Sequence, residues 1–192
     1  MKLKNGKAPG PDGIPSELLK TFCDEIIAPL TIIYLDSLET GVFPAIWKKM
    51  FISPIKKCGK SKSKPESFRP VALTSIIGKV MEMIVTEELQ TFLEDNKLLA
   101  NAQHGFIRGR SCISQLLKHS EMILKALEAK VNIDSVYLDF QKAFDKADLG
   151  LIGKRCKEKG ITGKLGMWIQ DFLCNRVQYV IANNKISRPE KV

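Results

Sequence analysis

Residues 136–148 read VYLDFQKAFDKAD, and Ser135 opens the run SVYLDF just before them. Val136, Leu138 and Phe140 alternate with Tyr137 and Asp139, and these residue types favour extended backbone. The spacing predicts a β-strand over 135–140, apolar on one face, with Asp139 on the other near the strand's end. A carboxylate at a strand end suits Mg²⁺, whose ligands are hard oxygens. Asp145 follows six residues later, past a turn. A calcium-binding EF-hand loop would want Asp or Asn at 141, where Gln141 stands, so calcium is disfavoured. The plain alternative is ordinary surface acids with Phe144 in the core.

Helical patterns dominate the flanks. Leu18, Leu19, Phe22, Ile26 and Ile27 recur at helical spacing after Pro15, which suits a first turn. Pro29 should break that helix or begin a second one, capped by Gly41. MFISPI (50–55) reads as a short strand, and 56–69 as a polar, lysine-rich loop. Helices are expected over 74–95, 112–128, 148–159 and 163–174, each with an apolar stripe or a helix-like composition. VQYVIA and KIS around Asn183-Asn184 read as a β-hairpin. Helices with a few strands between them make the class α+β. No repeat and no long linker marks a domain boundary.

The chain has 192 residues, of which 44% are hydrophobic and 27% charged, so it resembles neither a disordered tail nor a membrane protein. No apolar run approaches the ~18 residues of a membrane span, and MKLKNGKAPGPDG lacks the apolar core of a secretory signal. An intracellular protein, nuclear or cytoplasmic, is expected. The net charge of +9 favours an acidic partner, nucleic acid first. Most of it lies between 48 and 69, where Lys48, Lys49, Lys56, Lys57, Lys60, Lys62, Lys64 and Arg69 face one acid, Glu66. A solvated flexible loop is the competing reading of 56–64. Arg108 and Arg110, beside His104, form a second small cluster.

Cys23, Cys58, Cys112, Cys156 and Cys174 form no C-x-x-C pair and are odd in number, which argues against disulfides or a zinc ribbon. They are expected as core thiols. His104 and His119 are not spaced as metal ligands. Gly59-Lys60-Ser61 resembles the end of a phosphate-binding P-loop, but position 54 is Pro where that motif needs Gly, and SKSKPES follows instead of a helix. Trp47 and Trp168 read as packing anchors. Asp12, Asp36 and Asp134 suggest surface acids or caps.

Several short strings, taken in order, resemble the reverse transcriptases of non-LTR (LINE-type) retrotransposons. They are GKAPGPDGIP (6–15), GVFPAIWKK (41–49), SPIKKCGK (53–60), SFRPVAL (67–73) with IIGKVMEMI (76–84), QHGFIRGRS (103–111) and VYLDFQKAFDKAD (136–148), followed by FLCNRVQYV (172–180). Each is weak alone; their order carries the resemblance. It implies a partial right-hand polymerase fold, with helical fingers and the start of the palm over 1–130 and a palm segment over 131–192. It implies an RNA template, a DNA primer and deoxynucleoside triphosphates as partners.

The resemblance also assigns roles. Asp139 matches the first catalytic aspartate, a Mg²⁺ ligand, with the carbonyl of Phe140 assisting. Phe144 matches the aromatic that crowds the sugar 2′ position. Lys56 and Arg69 match finger residues that meet the triphosphate. Gln103, Gly105, Phe106, Arg108, Arg110 and Ser111 match a loop against the template strand. The family's Pro-Gln-Gly and aromatic-x-Asp-Asp motifs are missing, and no Asp-Asp pair occurs. The expectation is therefore an N-terminal part of the domain, with weak magnesium binding, no polymerase activity of its own and an aggregation-prone strand edge at 135–140. A non-catalytic nucleic-acid-binding protein, or a translated relic, are the competing readings.

Overall fold

The computed structural model describes residues 3–59, 61, 63–144, 146–183 and 185–192. Lys60, Lys62, Asp145 and Asn184, each named above, lie outside the described residues. The chain divides into two compact units, Met1–Ile84 with Asp148–Val192, and Val85–Ala147.

In the first unit, helix α1 covers Ser16–Thr21 and α2 covers Cys23–Thr40. The break falls at Phe22, not at Pro29, which lies inside α2. Proline removes one N–H and frees the carbonyl four residues back. Here that carbonyl belongs to exposed Glu25, where solvent can satisfy it, and the helix continues through Pro29. Gly41 ends α2 in the left-handed region (φ 70°), as expected of its cap.

Strand β1 (Lys49–Lys56) pairs antiparallel with β2 (Phe68–Thr74) and parallel with β3 (Val177–Ala182). The short strands β4 (Lys185–Ile186) and β5 (Glu190–Lys191) both pair antiparallel with β3. The sheet runs β2-β1-β3-β4. Strand β2 carries Pro70, which hides it from sequence reading, since proline has no N–H for a ladder. The register disposes of the problem: Pro70 faces Pro54. Lys57 N–H bonds the Ser67 carbonyl, and the alternation from that pair makes 54–70 a pair that exchanges no hydrogen bonds.

Helix α3 (Ile76–Asp95) follows β2 and carries the apolar stripe anticipated for 74–95. Ser75 caps its start, its Oγ accepting from Gly78 N–H at 3.1 Å. Helix α4 (Cys112–Glu128) matches the expected bounds, while α5 (Leu149–Glu158) and α6 (Gly163–Leu173) fall within theirs.

The first unit's core gathers around Phe43, whose ring lies edge-on to Trp47, Trp168 and Phe172 at 5.7, 5.4 and 5.1 Å. Both tryptophans are buried packing residues, Trp168 to 2% exposure. Trp168 Nε1 donates to Ser37 Oγ at 2.9 Å, which in turn donates to the Val42 carbonyl. Asp171 accepts from the Phe43 N–H and from Lys48 Nζ, both at 2.7 Å. Lys48 is thus buried and paired, and it leaves the basic surface expected of 48–69. Gly10 presses on β2's end: a Cβ there would sit 2.5 Å from the Thr74 carbonyl carbon, so the GPDG turn requires glycine at this position.

Three further readings fail. Residues 135–140 form no strand: the segment is without secondary structure, and Val136, Leu138 and Phe140 are all exposed. A strand exists only where its backbone groups pair, and no described residue pairs with this segment. Phe144 is likewise exposed and not a core residue. The cysteines are not core thiols: Cys23, Cys58 and Cys112 are exposed and Cys156 and Cys174 half-buried.

Candidate functional site

The β1–β2 hairpin positions the basic residues of the first unit. Lys56 and Arg69 are exposed. In an antiparallel ladder, directly opposed residues share a face. Ile55 opposes Arg69 and Lys56 opposes Phe68, so the register places Lys56 and Arg69 on opposite faces. Lys57, whose N–H bonds the Ser67 carbonyl, continues the face of Ile55 and Arg69. Its Nζ donates to the Glu66 carbonyl at 2.8 Å. The sequence names Lys57 only as one of the cations of 48–69; its place beside Arg69 follows from the register, since the period of two needs the pairing in hand.

In the second unit, the loop before α4 is knitted to its helix. Ser111 and Ser114 form a reciprocal capping box, Ser111 Oγ accepting from Ser114 N–H at 3.2 Å and Ser114 Oγ from Ser111 N–H at 2.9 Å. His104 Nδ1 lies 2.8 Å from Ser114 Oγ. Partial desolvation, then the positive charges of Arg110 and Lys118, hold the His104 imidazole below its ordinary range. Arg110 donates to the carbonyls of Asn101 and Gln103 at 2.7 and 2.5 Å, so this cation braces the loop. Gln103 Nε2 donates to the Gly105 carbonyl and Gln90 Nε2 to the Phe106 carbonyl. Arg108 reaches Thr91 Oγ1 only at 3.5 Å. These bonds present Phe106, in the left-handed region (φ 60°) and 88% exposed.

The structure brings two of the sequence-predicted residues together here. Phe106 and Phe144 meet edge-on, ring centroids 6.2 Å apart. Both rings remain open, and exposed aromatics of this kind can stack bases. Asp139 is exposed within the unpaired 131–140 segment. That segment is tied to α4 through Tyr137, whose hydroxyl lies 2.9 Å from His119 Nε2.

Magnesium demands several hard oxygen ligands in near-octahedral array. Asp139 offers one carboxylate and Phe140 one carbonyl. Among the described residues no group of three or more His, Cys, Asp or Glu is gathered to hold a metal ion. Among the described residues, Asp139 and Phe140 thus offer fewer oxygens than the ion takes.

The family described as Reverse transcriptase (RNA-dependent DNA polymerase) matches residues 55–191. The Probable RNA-directed DNA polymerase from transposon BS of Drosophila melanogaster is 34% identical over 149 residues, 77% of this chain and 16% of that protein. The RNA-directed DNA polymerase from mobile element jockey of the same fly is 32% identical over 145 residues, 76% of this chain and 16% of that protein. The Pol polyprotein from the type-1 retrotransposable element R1 of Bradysia coprophila is 29% identical over 187 residues, 93% of this chain and 18% of that protein. The chain therefore spans less than a fifth of these curated relatives. With the match running from β1 through the Asp139 segment to β5, the chain belongs to the reverse transcriptase family, and its relatives are named as RNA-directed DNA polymerases of transposons and mobile elements.

Proposed function

We propose that this chain is the fingers and start of the palm (1–130) and a palm segment carrying Asp139 (131–192) of a retrotransposon RNA-directed DNA polymerase, and that it does not polymerise DNA on its own. The complete enzyme would copy an RNA template by adding deoxynucleotides to a primer 3′-hydroxyl, with magnesium neutralising the phosphates. The observation that carries this reading is the family match over 55–191, which spans the Arg69 and Asp139 strings together.

Arg69 offers a planar fork for triphosphate oxygens, and Lys56 a point charge. The register adds Lys57, on the Arg69 face, as the cation to work beside it. Phe144 would exclude a ribose 2′-hydroxyl by bulk. The braced loop carrying Gln103, Gly105, Phe106, Arg108, Arg110 and Ser111 would lie against the template. Asp139 would be one magnesium ligand; a lone carboxylate cannot offset two divalent charges, so the isolated chain is inactive. Its place of action would be intracellular, in nucleus or cytoplasm.

The experiment is extension of a primed RNA template with radiolabelled deoxynucleotides and Mg²⁺. No incorporation is expected from the isolated chain. Incorporation that disappears in Asp139→Ala would overturn the claim of inactivity while supporting the assignment of Asp139. A second reading, a nucleic-acid binder without catalysis, is favoured by the exposed cations Lys56 and Arg69 on the β1–β2 hairpin.

A further inference from the structure

The C-terminal turn of α2 and the helices α5 and α6 border a cavity of about 940 Å³, within the first unit. That volume lies at the upper end of the ~300–1,000 Å³ typical of small-molecule sites. Its apolar lining comes from Val42, Ile161 and Met167, with the thiols of Cys156 and Cys174. No aromatic side chain lines it among the described residues, which removes the stacking surface a nucleobase would use.

The charges at this cavity are unbalanced. Asp171, a lining carboxylate, is already committed to Lys48 and the Phe43 N–H. Lys154 and Lys157, three residues apart on α5, both line the cavity and are exposed. Neither pairs with a carboxylate among the described residues, whereas neighbouring Arg155 pairs with Glu158 at 2.7 Å and Lys164 with Glu39. Two lysines without a carboxylate partner among the described residues thus line the cavity together with aliphatic side chains.

We infer that this cavity binds a free long-chain carboxylate, its methylene chain against Val42, Ile161 and Met167 and its head group between Lys154 and Lys157. The aliphatic lining supplies the hydrophobic contact, and the lysines supply charge-assisted bonds that an alcohol or an amine would forfeit. The inference is independent of polymerase function.

Calorimetric titration of the full chain with octanoate, decanoate and dodecanoate tests it, with dodecyltrimethylammonium as the charge control. Affinity should rise with chain length, by up to about fourfold per methylene. Lys154→Glu/Lys157→Glu should weaken dodecanoate binding about tenfold or more. Met167→Trp, at an exposed lining position, should weaken it too, with the circular dichroism spectrum unchanged in both variants. Absence of dodecanoate binding would overturn the inference. So would equal binding of the cationic amphiphile, or full binding by both variants, since each would place the ligand on exposed apolar residues elsewhere. Tighter capture of a short leucine–glutamate peptide than of dodecanoate would replace the fatty acid with a peptide partner.

Discussion

Asp171 shows how much one carboxylate can organise. It answers a buried ammonium at Lys48 and an N–H at Phe43, linking α6 to the turn that follows α2. Removing one partner of a buried pair leaves an uncompensated charge, so Asp171→Ala should cost about 3 kcal/mol, measured by equilibrium urea unfolding. The double variant Lys48→Met/Asp171→Leu should recover part of that loss, because no charge is then stranded. His104 makes a second residue-scale prediction. Its imidazole is held below the ordinary value of about 6.5. The unfolded loop therefore takes up a proton at higher pH than the folded one, and folding loses stability as pH falls below about 6.5 toward the folded midpoint. A nuclear magnetic resonance titration should give His104 a midpoint below 6.5. A midpoint above it would refute the burial and charge arrangement described for the loop.

At the scale of elements, α3 to α6 were legible because each carries helical spacing or a strong cap: Ser111 for α4, and Asp148 for α5, accepting from Gly150 and Leu151. What periodicity could not report is whether a stripe finds a partner. The α4 face of Ile113, Leu116, Leu117, Leu124 and Leu127 was readable as a helix, yet these side chains stay exposed. SVYLDF alternates as a strand should, but strand formation is a property of two segments, and alternation describes only one. Strand β2 went unread in the sequence: a proline at position 70 does not suit a ladder, and the register, with Pro54 opposite, makes it tolerable. The same lack of pairing decides the site, since Lys56 was named by resemblance while Lys57 emerges from the ladder. Hydrogen exchange should find the amides of 132–140 exchanging without protection, in contrast to slow exchange in β1 and β3. Protection of 135–140 in the isolated chain would mean that a partner strand had been overlooked.

Across the whole molecule the charge is partitioned. Residues 1–84 with 148–192 hold 22 Lys and Arg against 12 Asp and Glu, while 85–147 hold 8 against 9. The excess that sequence composition reported as a single +9 belongs to the first unit. No helix among the described residues is long and apolar enough to cross a membrane. An electrostatic partner is therefore expected to engage the first unit. Four phosphate contacts on single-stranded RNA would give a slope of about −3 in log affinity against log salt. Lys57→Ala/Arg69→Ala should make that slope shallower by about 1.4, with similar effect on unrelated sequences. An unchanged slope would remove the hairpin from the interface.

The joining of β1 to β3 has a consequence for biosynthesis. Phe43 and Lys48 find Asp171 across 128 and 123 positions of chain, and Ser37 finds Trp168 across 131. At the usual ~5–20 residues per second, a ribosome needs roughly 6 to 25 s to deliver the second half of each contact. Throughout that interval the emerging Phe43 has no Trp168 to lie against, so the nascent polypeptide offers chaperones an aromatic, lysine-flanked binding target until translation has passed α6.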